Sequence, residues 1–533
     1  MPRLSSIFPV LLLLLLSLTV TLPRAAELPQ PSISGAADQP ALDLPRLQAL
    51  YATQPGPYLW HDRSGRPHQS LIDTLLQAVD LAEAQGLPAS RYHGTRLVTE
   101  SDTARRDLLL SDALLRLVRD LGRGRDEAQL EQLWYLPRPE LDVVAQAQRA
   151  LQDSDPLELI RELAPSNPRY KALVSLYQRY LLLAEREPLP PLASDLRIES
   201  GDQHPAVALL RRHLVRLGDA RPDSVALGTA PDLYDQPLEA AVRRFQARHG
   251  LHSDGIVGPK TLAELNRPLA ERLAQLRVNL ERWRWLPRDL GRRYILVSTA
   301  GYFLDLVEDD QVVFHTRTIT GGPDRPTPSF RSDLSTLTVN PTWTVPRSIL
   351  LKDLLPKIRR DPDWLGSHRM QVGRYVAGSW QVLDPASIDW QQPGNIFLRQ
   401  APGGNNSLGR IKFGMDNPFS IYLHDTPAQS LFNKPVRAFS SGCVRVQGIQ
   451  SLVSRLLVKD DGMQRWYADA LAQGGTRVRR LPEPVPVYML YLSAWVDDKE
   501  QAQFRPDIYG LDRALQARLE PEDSGQESQL AVY

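Results

Sequence analysis

The spacing of apolar and polar positions divides this chain into stretches of different period. From Leu42 to about Glu187 it is helical: Leu71, Leu75, Val79 and Ala82 fall on one face, as do Leu114, Leu117 and Leu121. Breaks stand at Gly86-Leu87-Pro88 and Leu136-Pro137-Arg138-Pro139, and the prolines between Pro188 and Pro191 close the stretch. Residues 42–190 are therefore read as a helical scaffold in which nothing concentrates chemical groups. Residues 202–267 form a second unit. Val207, Leu210, Leu214 and Leu217 make one stripe ending at Gly218, and Leu238, Ala241, Val242 and Phe245 make another. Turns at Gly250, Asp254-Gly255 and Gly258-Pro259 lead into a short helix over 260–265. A helix from about Leu273 to Trp285 follows.

Then the period shortens to strand alternation. Runs over 294–298, 302–307, 312–320 and 336–339 are rich in β-branched and aromatic residues, separated by Asp309-Asp310 and Gly321-Gly322-Pro323-Asp324. Residues 346–394 read as helical and irregular, an insertion expected to cover a site on the sheet. It carries Trp364, Trp380 and Trp390, which would either line a groove or pack in a core. Strand character returns at 395–398, 411–413, 421–423 and 485–495, before a charged tail over 499–533. The fold class is multidomain α+β: helical scaffold, small helical unit, and a β-rich domain over 290–498 with a helical insertion.

Charge excludes one class of partner. With 63 basic and 62 acidic side chains the net charge is +1, so nothing calls for nucleic acid, and Arg477-Val478-Arg479-Arg480 reads as solvated surface. The N-terminus adds a compartment. Arg3, an apolar run from Ile7 to Leu22 and Ala25-Ala26 read as a secretory signal over 1–26. The run is shorter than the roughly 20 residues of a spanning helix, although an uncleaved inner-membrane anchor stays open because Pro23 and Arg24 make a poor cleavage site. Residues 27–41, rich in Pro, Ser and Gly, are a linker. An exported chain with one cysteine, Cys443, cannot form an internal disulfide, so that thiol is either a buried bystander or free and reactive.

Its surroundings favour reactivity. His424-Asp425-Thr426-Pro427 precedes Ser440-Ser441-Gly442-Cys443-Val444-Arg445. Thiolate, not thiol, attacks carbonyls, and an unperturbed cysteine is mostly protonated near neutrality. A histidine within reach takes that proton and later returns one to a leaving amine. Gly442 lets the backbone bend so that the Cys443 N–H can face a developing oxyanion, with the Ser441 hydroxyl as a second donor. No other cysteine accompanies Cys443, which rules out a zinc–thiolate cluster, and none of the ten histidines is followed by glutamate. No serine is followed three residues later by lysine. No metal or cofactor is expected.

Two resemblances follow from these strings. Leu238-Glu-Ala-Ala-Val-Arg-Arg-Phe-Gln-Ala-Arg-His-Gly-Leu251 with Asp254-Gly-Ile-Val-Gly-Pro-Lys-Thr261 resembles the three-helix peptidoglycan-binding domain; His249 and His252 there read as surface residues. The His424 and Cys443 segments resemble the catalytic signature of the L,D-transpeptidases. With Arg399-Gln-Ala-Pro-Gly403 and Asn406-Ser-Leu-Gly-Arg-Ile-Lys-Phe413 they look like the large Gram-negative periplasmic branch of that family. The resemblance implies a periplasmic enzyme in which Cys443 attacks the diaminopimelate carbonyl of a tetrapeptide stem, expels D-alanine and passes the acyl group to a neighbouring diaminopimelate amine. His424 would be base and then acid, Asp425 would orient the imidazole through its backbone carbonyl, and Tyr422 and Arg445 would shape the pocket. It also implies acylation by carbapenems. Ser441 departs from the commonest pattern, where many members carry a second histidine. A carboxypeptidase using water as acceptor and an inactive wall-binding protein remain alternatives. Partners are then stem peptides and the sacculus, with association to the inner membrane or other cell-wall synthesis proteins left open.

Overall fold

The computed structural model describes residues 42–520 apart from 54–55, 126–131, 222–230 and 362, together with Leu28 and Pro29. The signal or anchor read over 1–26 lies outside the described residues. Among those described, no helix is long and apolar enough to cross a membrane.

The N-terminal helices Leu44–Tyr51, Gln69–Glu83, Val143–Gln152 and Pro156–Leu163 pack around Thr103–Arg123. Leu114, Leu117 and Leu121 are fully buried there, as their spacing requires. Contrary to the sequence reading, this region does gather chemical groups: Asp107, Asp112 and Asp120 sit inside the same helix at 0 % exposure. Each buried carboxylate is compensated, which removes most of the cost of burial. Asp107 accepts from the Trp60 N–H at 2.9 Å and the Tyr51 hydroxyl at 2.5 Å, Asp112 meets His93 at 2.7 Å, and Asp120 pairs with Arg91 and Arg119. Their role is to pin loops onto the central helix.

Helices Ala206–Leu217, Gln236–Arg248 and Pro259–Leu265 close over Val207, Leu210, Leu214, Val242, Phe245 and Leu262. The Asp254-Gly255 turn is local chemistry. Asp254 Oδ1 accepts from the Ile256 N–H at 2.9 Å, and Gly255 holds φ +78°. His249 is a correction, since it is buried at 3 % exposure rather than on the surface. Its ring lies tilted against Phe245 at 4.0 Å and stacks on Phe504 at 5.5 Å, a contact made by the C-terminal segment that no local pattern reveals.

That segment also departs from the expected tail. Strands β14 (Ala494–Val496) and β15 (Ala502–Phe504) form a hairpin, and the helix Leu511–Leu519 packs on Leu269–Arg284, joined by an Arg282–Asp512 ion pair at 2.6 Å. Residues 499–520 are thus folded. Four apolar side chains facing inward (Ala502, Phe504, Leu511, Leu515) outweigh the charged ones that suggested a tail.

The β-rich domain contains β1 (Arg293–Ser298), β2 (Phe303–Glu308), β3 (Gln311–Gly321), β4 (Phe330–Val339), β9 (Ile411–Met415), β10 (Leu423–His424), β11 (Ala438–Ser440), β12 (Val444–Val446) and β13 (Arg477–Leu490). Their order is β11-β3-β12-β10-β9-β4-β13-β1-β2. β3 pairs with β2 through Gln311–Arg317 and with β12 and β11 through Thr318–Gly321, joining the two ends of the order. β13 begins earlier than its alternation predicts because Leu481-Pro-Glu-Pro484 interrupts the ladder with a register shift against β4. A proline contributes no N–H, so the pattern fades where the strand continues. Helices Ile449–Leu456 and Asp461–Gln473 cover the core formed by Val297, Leu306, Leu337, Phe413, Leu423 and Val444.

The insertion has its own small sheet, β5-β8-β6-β7, from β5 (Trp343–Thr344), β6 (Met370–Val376), β7 (Ser379–Val382) and β8 (Phe397–Gln400). The helical reading holds for 347–360 and 364–367. The β6–β7 hairpin was not foreseen; Ala377-Gly378 turns it with φ +48° and +80°, the positive pair that matches strand twist. Trp364 and Trp390 pack against the insertion's own core, and Trp380 lies under Arg399 at 4.2 Å. Core packing accounts for Trp364 and Trp390, whereas Trp380 packs outside that core against Arg399 and Tyr375.

Candidate active site

Register brings the chemistry together. β10 runs parallel to β12 with Leu423 opposite Val444 and His424 opposite Arg445, and antiparallel to β9 with Leu423 opposite Phe413 and His424 opposite Lys412. Leu423, Val444 and Phe413 are all fully buried in the core. Side chains alternate along a strand, so Tyr422, His424, Cys443, Arg445 and Lys412 share the opposite face. The eighteen intervening residues between His424 and Cys443 are spent on a loop and β11, and the two functional segments return side by side.

His424 is held by its neighbour. Its Nδ1 lies 2.5 Å from the Asp425 carbonyl. A carbonyl only accepts, so Nδ1 carries the proton and Nε2 is left as the basic nitrogen. The Asp425 carboxylate faces elsewhere, accepting from the Thr426 N–H at 2.8 Å and the Arg410 N–H at 3.0 Å. Gly409 makes that turn possible: φ is +59°, and a Cβ there would lie 2.3 Å from Asp425 Oδ2. Gly409→Ala is expected to cost at least about 1–2 kcal/mol from the left-handed backbone alone, to displace Asp425, and with it to lower turnover. Calorimetry and activity together check this; an unchanged unfolding midpoint with full activity would refute the role of the turn.

Burial decides the protonation states. The imidazole is pushed down to about 3, first by desolvation and then by the positive charges of Arg445 and Lys412, against the Asp425 carbonyl bond, which raises it. At neutral pH it is therefore uncharged. Burial pushes the Cys443 thiol above its ordinary value, opposed by hydrogen bonding from Tyr422 and by Lys412 and Arg445. The resting pair is thus neutral thiol and neutral base, with cations placed to stabilise a thiolate once it forms. Lys412 Nζ sits 4.0 Å from the centroid of the Tyr422 ring. Sγ, half-buried, lies 3.8 Å from the Ser420 carbonyl. The loop that presents Tyr422 is tied by Asn417, whose Oδ1 accepts from the Ile421 N–H at 3.1 Å and whose Nδ2 donates to the Ile421 carbonyl at 2.8 Å. Arg445 Nε is buried without a partner.

The loop that carries Cys443 is fixed from beneath. Gly442 holds φ +109°, its N–H donates to Ser440 Oγ at 3.1 Å, and its carbonyl accepts from Thr327 Oγ1 at 2.8 Å. Ser441 is exposed, and its Oγ accepts from Arg325 Nη1 at 2.7 Å.

All seven residues read from the sequence lie in these two adjoining segments. Lys412, Thr327, Ser420 and Arg325 were not singled out. Lys412 had a signal, a lone cation between Ile411 and Phe413 in an alternating strand; Arg325, more than a hundred residues before Cys443, had none.

Comparison with known proteins agrees with this arrangement. Residues 292–479 match the L,D-transpeptidase catalytic domain, residues 45–176 a scaffold domain, and residues 203–265 a "putative peptidoglycan binding domain". A protein of Haemophilus influenzae named "Putative L,D-transpeptidase" is 37 % identical over 244 residues, covering 45 % of this chain and 48 % of its own length. The chain thus spans about half the length of the curated relative it matches. A crystal structure of an L,D-transpeptidase from Stackebrandtia nassauensis is 14 % identical, covering 55 % of this chain and 94 % of its own, with a TM-score of 0.23. One from Xylanimonas cellulosilytica is 17 % identical, covering 57 % and 100 %, with a TM-score of 0.16. Superpositions this loose carry no argument. The family matches thus assign residues 292–479 to the L,D-transpeptidase catalytic domain, preceded by matches to a scaffold domain and to a putative peptidoglycan binding domain.

Proposed function

We propose that the protein cross-links peptidoglycan outside the inner membrane, joining diaminopimelate residues of neighbouring stems through a thioester on Cys443. The observation that carries this reading is the shared face of Tyr422, His424, Cys443, Arg445 and Lys412 beside a loop that leaves Ser441 exposed. His424 Nε2 takes the thiol proton as Sγ attacks the carbonyl of diaminopimelate. The Cys443 N–H and the Ser441 hydroxyl steady the oxyanion. Collapse of the tetrahedral species expels D-alanine, whose amine receives the proton from His424. The side-chain amine of a second diaminopimelate then attacks the thioester, gives up a proton to His424, and releases the thiol. Lys412 and Arg445 steady the sulfur's negative charge as the thiolate forms and again as it leaves the thioester, and Tyr422 donates to it. The peptidoglycan-binding domain would keep the site on the sacculus.

Incubation of the purified protein with sacculi, followed by muropeptide analysis, tests this. Dimers linked between two diaminopimelates, with release of D-alanine, are expected. Tripeptides without such dimers would mean that water is the acceptor, and unchanged muropeptides would mean a wall-binding protein without activity.

A further inference from the structure

The Arg325 guanidinium stands between the insertion and the nucleophile loop. Nη1 and Nη2 donate to Asp353 Oδ2 and Oδ1 at 2.6 and 2.8 Å, a bidentate fork, while Nη1 also reaches Ser441 Oγ at 2.7 Å. Asp353 belongs to the insertion, on a π-helical turn over Leu350–Leu354, a distortion that re-aims side chains and recurs at functional sites. Ser441 is two residues before Cys443, so its Cα lies within about 7.6 Å of the nucleophile's by chain length alone.

A cleft of about 250 Å³ opens here, lined by Arg325, Pro326, Phe419, Ile421, Ser441 and Gly442 with Leu133 and Tyr135 from the N-terminal region. Among its described lining residues Arg325 is the one charged side chain. A cleft of this composition beside the thiol has a single place for an anion.

We propose that Arg325 binds a carboxylate of the stem peptide, and that Asp353 occupies the same fork until substrate displaces it. This rests on the peptidoglycan reading above. The ligand is a carboxylate because the fork already holds one bidentately, the geometry a planar guanidinium matches best. Exchange is easy because the pair is accessible, with side chains 28 % and 36 % exposed. Exposed ion pairs contribute little net stability, so one carboxylate replaces another without a large penalty. The neighbouring guanidinium holds the Asp353 carboxyl below the usual range, so the resident anion stays charged at neutral pH and competes there. The carboxylate read is either that of the terminal D-alanine or that of diaminopimelate.

The test uses the full chain and a soluble disaccharide-tetrapeptide donor, with kcat and KM measured for D-alanine release. Arg325→Gln is expected to raise KM roughly ten- to hundredfold, the loss of hydrogen bonds to a charged group, with a smaller fall in kcat because Ser441 Oγ loses the same partner. Asp353→Asn should lower KM by removing the competitor. The exchange Arg325→Asp with Asp353→Arg should restore the ion pair and the unfolding midpoint but leave KM high. If the pair only fastens the insertion, Arg325→Gln and Asp353→Asn will act in the same direction and the exchange will restore KM, which overturns the proposal. Donors amidated at one carboxylate or the other identify the group: the amide that raises the wild-type KM and leaves the Arg325→Gln KM unmoved marks it, and neither doing so also overturns the proposal. Iodoacetamide labelling of Cys443 in Arg325→Gln at the wild-type rate shows the nucleophile intact. A wild type that releases no D-alanine at all would instead count against the enzymatic reading itself.

Discussion

Cys443→Ser is expected to abolish D-alanine release and cross-linking. The hydroxyl is far less acidic than the thiol, and the base available is one imidazole whose burial already holds its basicity down to about 3. A base that weak can receive a proton from a thiol whose anion is steadied by Lys412, Arg445 and Tyr422; it has no comparable leverage on an alcohol. Loss of a nucleophile in a hydrolytic triad costs on the order of 10⁶ in kcat, and a similar loss is expected here. Mass spectrometry after incubation with a carbapenem provides the check. The wild type should show one adduct at Cys443 and the serine variant none. An adduct on the variant, or on another residue of the wild type, would overturn the assignment of the nucleophile.

The second large effect concerns His424. Replacement by alanine should slow acylation by about 10² to 10⁴, the usual worth of positioned general-base assistance. The pH dependence makes this sharper. Because His424 is neutral across the working range and the thiol is raised by burial, there is no resting thiolate–imidazolium pair. A raised thiol releases its proton only at higher pH, so iodoacetamide labelling of the wild type should climb through and beyond the ordinary cysteine range of about 8.5, without an inflection between pH 6 and 7. Labelling that is already fast and flat from pH 6 to 8 would establish a preformed ion pair. Labelling and turnover both unaffected in His424→Ala would mean that the histidine supports the fold and not the reaction.

The contrast between sequence and structure runs through particular residues. The paired signatures around His424 and Cys443, the Asp254-Gly255 turn, and the apolar stripes of residues 202–267 are local strings, and local chemistry is readable in order. Strand alternation marked most of the closed sheet. It failed at Pro482 and Pro484, where β13 continues without an N–H to give, and at β11 and β12, which span three residues each. Helices Ile449–Leu456 and Asp461–Gln473 were passed over, although Leu452, Val453 and Leu456 carry a helical spacing. His249 and residues 499–520 were misjudged because their burial depends on a partner segment some 250 residues away.

By itself, then, the sequence determined the order of the domains, singled out Cys443 and His424 as the candidate thiol and imidazole, and marked Gly442 as the place where the Cys443 loop bends. Those depend on residue type and short spacing. Only the tertiary structure decided which groups share one face with Cys443, because strand register is a relation between segments far apart in the chain. It set Lys412 opposite His424, gave Arg325 both Ser441 and Asp353 as partners, and turned the Asp425 carboxylate away from the imidazole. It also fixed the protonation of the pair, since burial and neighbouring charge shift a pKa and neither is written in the residues around Cys443.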